Sequence, residues 1–219
     1  NPVRLMCATA HRYGALALVD GAQSAAHLPV DVKAMDADFF VMSGHKMYGP
    51  TGIGVLYAKK ELLEAMPPYQ GGGGMIDSVT FEYTRFHKSP EKFEAGTGSI
   101  ADAVGLGSAA DYLRGIGLER IRRHEQELTH RMVGGLSRIR RVRLIGMPRE
   151  KAGVVTFLVD GMEPEHVAQR LDAQGIAIRS GHHCAQPVLR HYGLTSAVRA
   201  SLGVYNTADD VDALVNAVA

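Results

Sequence analysis

The chain has 219 residues, of which 46% are hydrophobic and 21% charged, and its 24 basic residues nearly balance 23 acidic ones. These values are ordinary for a globular protein and give no reason to expect a nucleic-acid or anionic-membrane surface. No run of about 18 uncharged apolar residues is present, so a membrane-spanning helix is not expected, and the first residues lack a secretory signature.

The two cysteines, Cys7 and Cys184, are too few for a disulfide framework. They fit a reducing compartment, so we expect a cytoplasmic protein. Cys7 lies among apolar neighbours in a helical pattern, which favours a packing role.

Amphipathic helical patterns alternate with apolar runs of strand length, which predicts an α/β fold. Helical patterns lie at 3–13, 59–65, 100–113, 118–140, 163–174 and 208–219. Runs that fit strands lie at 15–19, 38–42, 53–57, 142–145, 154–159, 176–178 and 198–202.

Two stretches interrupt this alternation. Residues 67–98 contain four consecutive glycines and are predicted to form an irregular excursion, which in compact domains is usually functional or interfacial. The segment 141–152 is rich in Arg, Gly and Pro. It predicts a boundary between a larger domain, 1–141, and a small α+β domain, 142–219.

Asp20 and Lys46 each follow a predicted strand. Open α/β sheets bind ligands at the carboxyl edge of their strands, where the surroundings can prepare a lysine to form a Schiff base. A carboxylate and an amine at neighbouring strand ends are the two groups that a pyridoxal phosphate enzyme needs. A helix-capping role for Asp20 and a simple surface position for Lys46 are the alternatives.

Three further polar residues lie close to this pair in sequence. Gln23 comes three residues after Asp20, and Ser43 and His45 flank the lysine in a turn that could offer donors to a phosphate. A solvent-exposed Gln23 and a purely structural His45 remain open.

The segment RSGHHCAQP, 179–187, places Cys184 after two histidines. Nearby cationic groups and partial exposure would favour the reactive thiolate. A metal site is disfavoured because adjacent ligands converge poorly on one ion and the spacing of zinc sites is absent. Arg199 lies within a strand pattern, where it could bind a carboxylate through two hydrogen bonds or face water at a sheet edge.

Six motifs, taken in order, resemble those of the cysteine desulfurases, and more narrowly the group II branch that includes sulfur-mobilising desulfurases and selenocysteine lyase-like proteins. They are VDGAQ, DFFVMSGHKMYGPTGIGVLY, the glycine run, FEAGT, RSGHHCAQP and RASLGVYN. The resemblance implies a type I PLP-dependent transferase fold, with a large, mostly parallel sheet domain and a small C-terminal α+β domain. It also implies that this chain corresponds to about the C-terminal half of such a protein.

The resemblance further implies a homodimer that uses pyridoxal 5'-phosphate to convert L-cysteine to L-alanine. Lys46 would be the Schiff-base lysine, and the cofactor would be held by Asp20, Gln23, Ser43, His45 and, from the partner subunit, Thr97. Cys184 would receive the sulfur as a persulfide, for Fe–S cluster or other sulfur-compound assembly through an acceptor protein. Arg179 and Arg199 would bind the substrate carboxylate.

Other interpretations stay open at this point. Selenocysteine could replace cysteine as substrate, and another class V PLP enzyme, such as an aminotransferase, would need the lysine and arginine without the thiol. A non-catalytic remnant and a metal-binding protein are the alternatives outside this class of enzymes.

Overall fold

A computed structural model describes all 219 residues. They form two compact units, Asn1–Leu118 and Glu119–Ala219. None of the helices is both long enough and apolar enough to cross a bilayer.

The first unit contains a three-stranded sheet in the order β1-β2-β3. β1, Leu18–Asp20, runs parallel to β2, Phe39–Ser43, whereas β3, Gly54–Ala58, runs antiparallel to β2. A short connection, residues 44–53, joins β2 to β3, so the chain returns antiparallel at this edge of the sheet. The helices are α1 Val3–Arg12, α2 Val32–Met35, α3 Lys60–Ala65 and α4 Ile100–Ile116.

The 67–98 excursion is more regular than predicted. It contains an antiparallel hairpin of β4, Ile76–Val79, and β5, Thr84–Phe86, followed by a 3₁₀ turn at Glu91–Phe93. Hydrophobic residues do not alternate with polar ones along these two short strands, and none of their residues is buried, so the sequence did not mark them.

A buried lysine ties the end of this excursion to α3. Lys92 is 8% exposed, and its Nζ donates hydrogen bonds to the carbonyl oxygens of Glu64, at 3.0 Å, and Met66, at 2.8 Å. A cation at the C-terminal end of a helix satisfies carbonyl groups that have no partner within the helix.

The second unit contains a four-stranded antiparallel sheet in the order β6-β7-β9-β8. Its strands are β6 Val142–Ile145, β7 Val154–Val159, β8 Arg179–Gly181 and β9 Ala197–Ser201. Its helices are α5 Leu118–Leu136, α6 Pro164–Asp172, α7 Gln186–His191 and α8 Ala208–Val218. The short α7 was not predicted.

The core of this unit lies between one face of the sheet and helices α5, α6 and α8. Alternate residues of β7 are buried, and Val155 and Phe157 have no exposed surface. Leu128 and Leu136 of α5 belong to the same cluster. Because α5 packs there, the compact units divide at Leu118, earlier than the boundary predicted at 141.

The strand predicted at 176–178 is wrong by three residues. The Ile176 N–H donates to the Leu171 carbonyl oxygen, which closes the end of α6. Sheet pairing begins only at Arg179, opposite Arg199. Ile176 and Ile178 still pack against the core, which accounts for their apolar character.

Candidate active site

Lys46 lies in a tight 3₁₀ turn, Gly44–Met47, directly after β2. Its side chain is exposed and makes no hydrogen bond or ion pair with the rest of the chain. The turn is closed by hydrogen bonds from Gly44 N–H to the Ile53 carbonyl oxygen, at 2.9 Å, and from Gly49 N–H to the Gly44 carbonyl oxygen, at 3.0 Å. A Cβ on Gly44 would approach Ile53 O to 2.9 Å, so the turn requires glycine there.

Asp20 lies at the same edge of the sheet. β1 and β2 are parallel, and Asp20 is opposite Val41, so the carboxyl ends of both strands lie at this edge. The exposed carboxylate accepts one hydrogen bond, from Ala22 N–H to Oδ1 at 2.9 Å. The following glycine, Gly21, lies against the buried ring of Phe40, which a Cβ would approach to 1.9 Å.

Ser43 and His45 contact one another across the turn. The Ser43 hydroxyl lies 3.0 Å from His45 Nδ1, and the imidazole is exposed. This edge therefore carries a carboxylate, a primary amine, a hydroxyl and an imidazole.

Two other predicted residues have no hydrogen bond to this group. Gln23 is exposed in the turns that follow β1. Thr97 is exposed in the segment before α4, beside Gly96, whose N–H donates to the Gly73 carbonyl oxygen at 2.8 Å. That bond brings the glycine run next to the FEAGT motif, although the two are distant in sequence.

Cys184 lies in the connection between β8 and α7. The thiol is exposed, and the Arg179 Nη2 donates toward Sγ at 3.9 Å. The Cys184 N–H donates to His182 Nδ1 at 3.1 Å. The exposed thiol therefore lies beside a guanidinium in a loop that is open to a reaction partner.

Arg199 and Arg179 are direct neighbours across β9 and β8. Arg199 lies on the sheet face opposite that of the core residues Val198 and Ala200, and its buried Nε has no partner. Burial lowers the pKa of Arg199, the charge of Arg179 lowers it further, and Cys184 opposes both. Like charges directly opposite on adjacent strands are destabilising, and a buried donor without an acceptor is costly. The arrangement favours an anion at this face.

The structure thus brings Arg179, Cys184 and Arg199 together in the second unit, and Asp20, Ser43, His45 and Lys46 at one sheet edge of the first. His183 was not assigned a role from the sequence, although its imidazole contacts the strand that carries Arg199. No group of three or more His, Cys, Asp or Glu side chains that could hold a metal ion forms in the 219 residues.

Residues 1–214 match the model of the aminotransferase class-V family, and the chain belongs to that family. It is 54% identical to a cysteine desulfurase of Synechococcus elongatus over 100% of this chain and 35% of that protein. It is 50% identical to a probable cysteine desulfurase of Halalkalibacterium halodurans over 98% of this chain and 52% of that protein. The chain therefore spans about half, or less, of the length of these curated relatives.

Solved structures show the same fold. The Escherichia coli cysteine desulfurase CsdA, in an S-sulfonic acid form, has a TM-score of 0.93 and 41% identity over 99% of this chain and 54% of that one. The apo cysteine desulfurase of Thermococcus onnurineus NA1 has a TM-score of 0.93 and 43% identity over 98% of this chain and 54% of that one. The predicted fold class and the predicted family resemblance are confirmed.

Proposed function

We propose that the protein containing this chain is a pyridoxal phosphate-dependent cysteine desulfurase that converts L-cysteine to L-alanine and retains the sulfur on Cys184. The observation that carries the proposal is the exposed thiol of Cys184 beside Arg179, on the sheet face where Arg199 has a buried donor without a partner. Relatives named cysteine desulfurase at 50% identity or more support it.

The edge of the first sheet fits the cofactor. Lys46 offers an amine with no protein partner, and Asp20 offers a carboxylate oxygen to a protonated ring nitrogen. Glycine at position 44 keeps the turn that carries Lys46 tight, because a Cβ there would collide with Ile53 and Pro50. When bound, the cofactor withdraws electrons from the bonds at the α-carbon of an amino acid. The residues that would hold it are Asp20, Gln23, Ser43, His45, Lys46 and Thr97.

The second unit would handle the substrate. Arg199, with Arg179, offers donors to the α-carboxylate, a pairing that is often bidentate. The Cys184 thiolate would attack the sulfur of the substrate. An S–S bond forms and the Cβ–S bond breaks, and its electron pair stays on the β-carbon, which after protonation becomes the methyl group of alanine. The products are alanine and a persulfide on Cys184.

The wider roles follow from the same proposal. A persulfide on an exposed cysteine can pass its sulfur to an acceptor protein, for Fe–S cluster or other sulfur-compound assembly. We also propose a homodimer, in which Thr97 serves the cofactor of the partner subunit, and a cytoplasmic location. Thr97 is exposed and has no side-chain partner within its own chain, which supports a role across an interface.

Replacement of Cys184 tests the reaction in the full-length protein loaded with pyridoxal phosphate. Cys184→Ser should keep the visible absorbance of the bound cofactor and lose both persulfide and alanine formation from cysteine. Cys7→Ala is the matched control, because Cys7 is 1% exposed within α1 and should leave alanine formation unchanged. If Cys184→Ser makes alanine at the wild-type rate, the sulfur-transfer mechanism is wrong, and a class V enzyme without a catalytic thiol, such as an aminotransferase, becomes the better assignment.

Mass analysis tests the cofactor site. Borohydride treatment should attach one pyridoxyl group to the peptide that contains Lys46, and Lys46→Ala should abolish the attachment. A full-length protein that is colourless and yields no pyridoxal phosphate would instead support a non-catalytic role. Comparison of alanine yields from cysteine and selenocysteine would separate a desulfurase from a selenocysteine lyase.

A further inference from the structure

The residue before Cys184 has an unusual backbone conformation. His183 has a φ of 55° and Cys184 a φ of 56°, so two consecutive residues with side chains occupy the left-handed region. Such residues persist only where the surrounding structure holds them. The preceding Gly181, with a φ of 111°, lets the chain leave β8 toward this turn.

The imidazole of His183 holds these two residues in the left-handed conformation. Its Nε2 lies 3.0 Å from the carbonyl oxygen of Ala197. Ala197 is completely buried and belongs to β9, an interior strand, where it pairs with Gly181 of β8. The ring therefore links the turn to a rigid part of the sheet at the register where the turn begins.

The same contact defines the state of the ring. A carbonyl oxygen only accepts hydrogen bonds, so Nε2 carries the proton and donates it, and in the neutral ring Nδ1 bears a lone pair. Nδ1 is buried and has no protein partner. Burial lowers the pKa of His183, the bond to Ala197 opposes this, and the charges of Arg199, Arg179 and His182 lower it further. The imidazole is therefore neutral near pH 7.

We propose that His183 is a positioning residue: as a neutral imidazole that donates to the Ala197 carbonyl, it fixes the left-handed turn that presents the Cys184 thiol to Arg179. The inference rests on the proposed function, in which Cys184 receives the sulfur. Without this bond nothing comparable ties the turn to β9, and residues 183 and 184 can relax to ordinary backbone angles. The thiol then moves away from the Arg179 guanidinium.

Three substitutions separate the hydrogen bond from the backbone and the bulk of the ring. His183→Gln places an amide N–H at about the reach of Nε2. His183→Asn tolerates the left-handed conformation better than most residues but is too short to reach Ala197. His183→Leu keeps a bulky side chain without a donor. His191→Asn, on the neighbouring α7, is the control because His191 is exposed and its ring lies edge-on to Tyr192.

The variants should be made in the full-length, cofactor-loaded protein. We expect kcat for alanine formation to fall about 10- to 100-fold in His183→Asn and His183→Leu, with little change in KM for cysteine, because a small displacement of a reacting group has such an effect. Alkylation of Cys184 by iodoacetamide should slow in the same two variants. His183→Gln should recover most of both properties, and His191→Asn should match the wild type.

The alkylation rate of Cys184 tests the role of His183 independently of the proposed function. If wild-type protein forms no alanine, the proposed function fails, whereas slower alkylation of His183→Asn would still support the positioning role. If the wild type is active and His183→Asn is equally active and equally fast to alkylate, His183 has no positioning role. A His183→Gln variant no better than His183→Leu, with both unfolding at the wild-type temperature, would also overturn it.

Discussion

Replacing Asp38 with Asn is expected to lower the free energy of unfolding at neutral pH. Asp38 is 3% exposed, at the beginning of β2 and at the opposite end of that strand from Lys46. Its Oδ2 accepts hydrogen bonds from Ala17 N–H and His11 Nε2, both at 2.7 Å, and Lys59 Nζ lies 2.9 Å from Oδ1. The carboxylate therefore joins α1, the approach to β1 and the end of β3.

The magnitude follows from the pKa of this carboxyl group. Burial would raise the pKa of Asp38, but hydrogen bonds from Lys59, Ala17 and His11 outweigh it and lower the pKa from 3.8 to about 2. Asparagine resembles the protonated acid, and at about 1.4 kcal/mol for each pKa unit the substitution should cost about 2.5 kcal/mol. Since the folded-state pKa lies below the unfolded one, this contribution is complete above about pH 4 and is lost as the pH falls toward about 2.

Urea unfolding at neutral pH measures the loss of unfolding free energy. The same measurement at a series of pH values from about 4 down to about 2 measures how that loss depends on pH. The difference between wild type and Asp38→Asn should be largest at neutral pH and should disappear at the acid end. Asp36→Asn is the control: Asp36 also pairs with Lys59, at 2.6 Å, but its side chain is 61% exposed, so a smaller loss is expected. Equal losses in the two variants, or a pH-independent difference for Asp38→Asn, would refute the reasoning.

Two further substitutions test the surroundings of the candidate site in the first unit. Gly21→Ala should reduce stability by about 1–3 kcal/mol, because its Cβ would meet the ring of Phe40 at 1.9 Å. Gly107→Ala in α4, where a Cβ meets nothing, is the control and should be neutral or stabilising; a Gly21→Ala variant with the wild-type urea midpoint would contradict this. Lys92→Met should speed hydrogen exchange in the 67–98 excursion, because two carbonyl groups at the end of α3 lose their donor. Unaltered exchange there would mean that the lysine does not hold the excursion.

The candidate site divides into parts that the sequence predicted and parts that it did not. Asp20 and Lys46 were placed at strand ends; Asp20 is the last residue of β1, and Lys46 lies in the turn after β2, its parallel neighbour. Arg199 was placed on a strand, and it is opposite Arg179. The hydrogen bond between His183 and Ala197 joins residues 14 positions apart, and no local pattern indicates it.

The sequence by itself determined the elements whose hydrophobic period is local. β7 was predicted at its observed bounds because alternate residues face the core, and α5 because its apolar stripe follows the helical repeat. Only the tertiary structure decided where β8 begins, how the excursion pairs with itself and why Cys184 is held in a left-handed turn. These features depend on partners from distant parts of the chain, such as the pairing with β9, and a periodicity read along the chain does not contain that information.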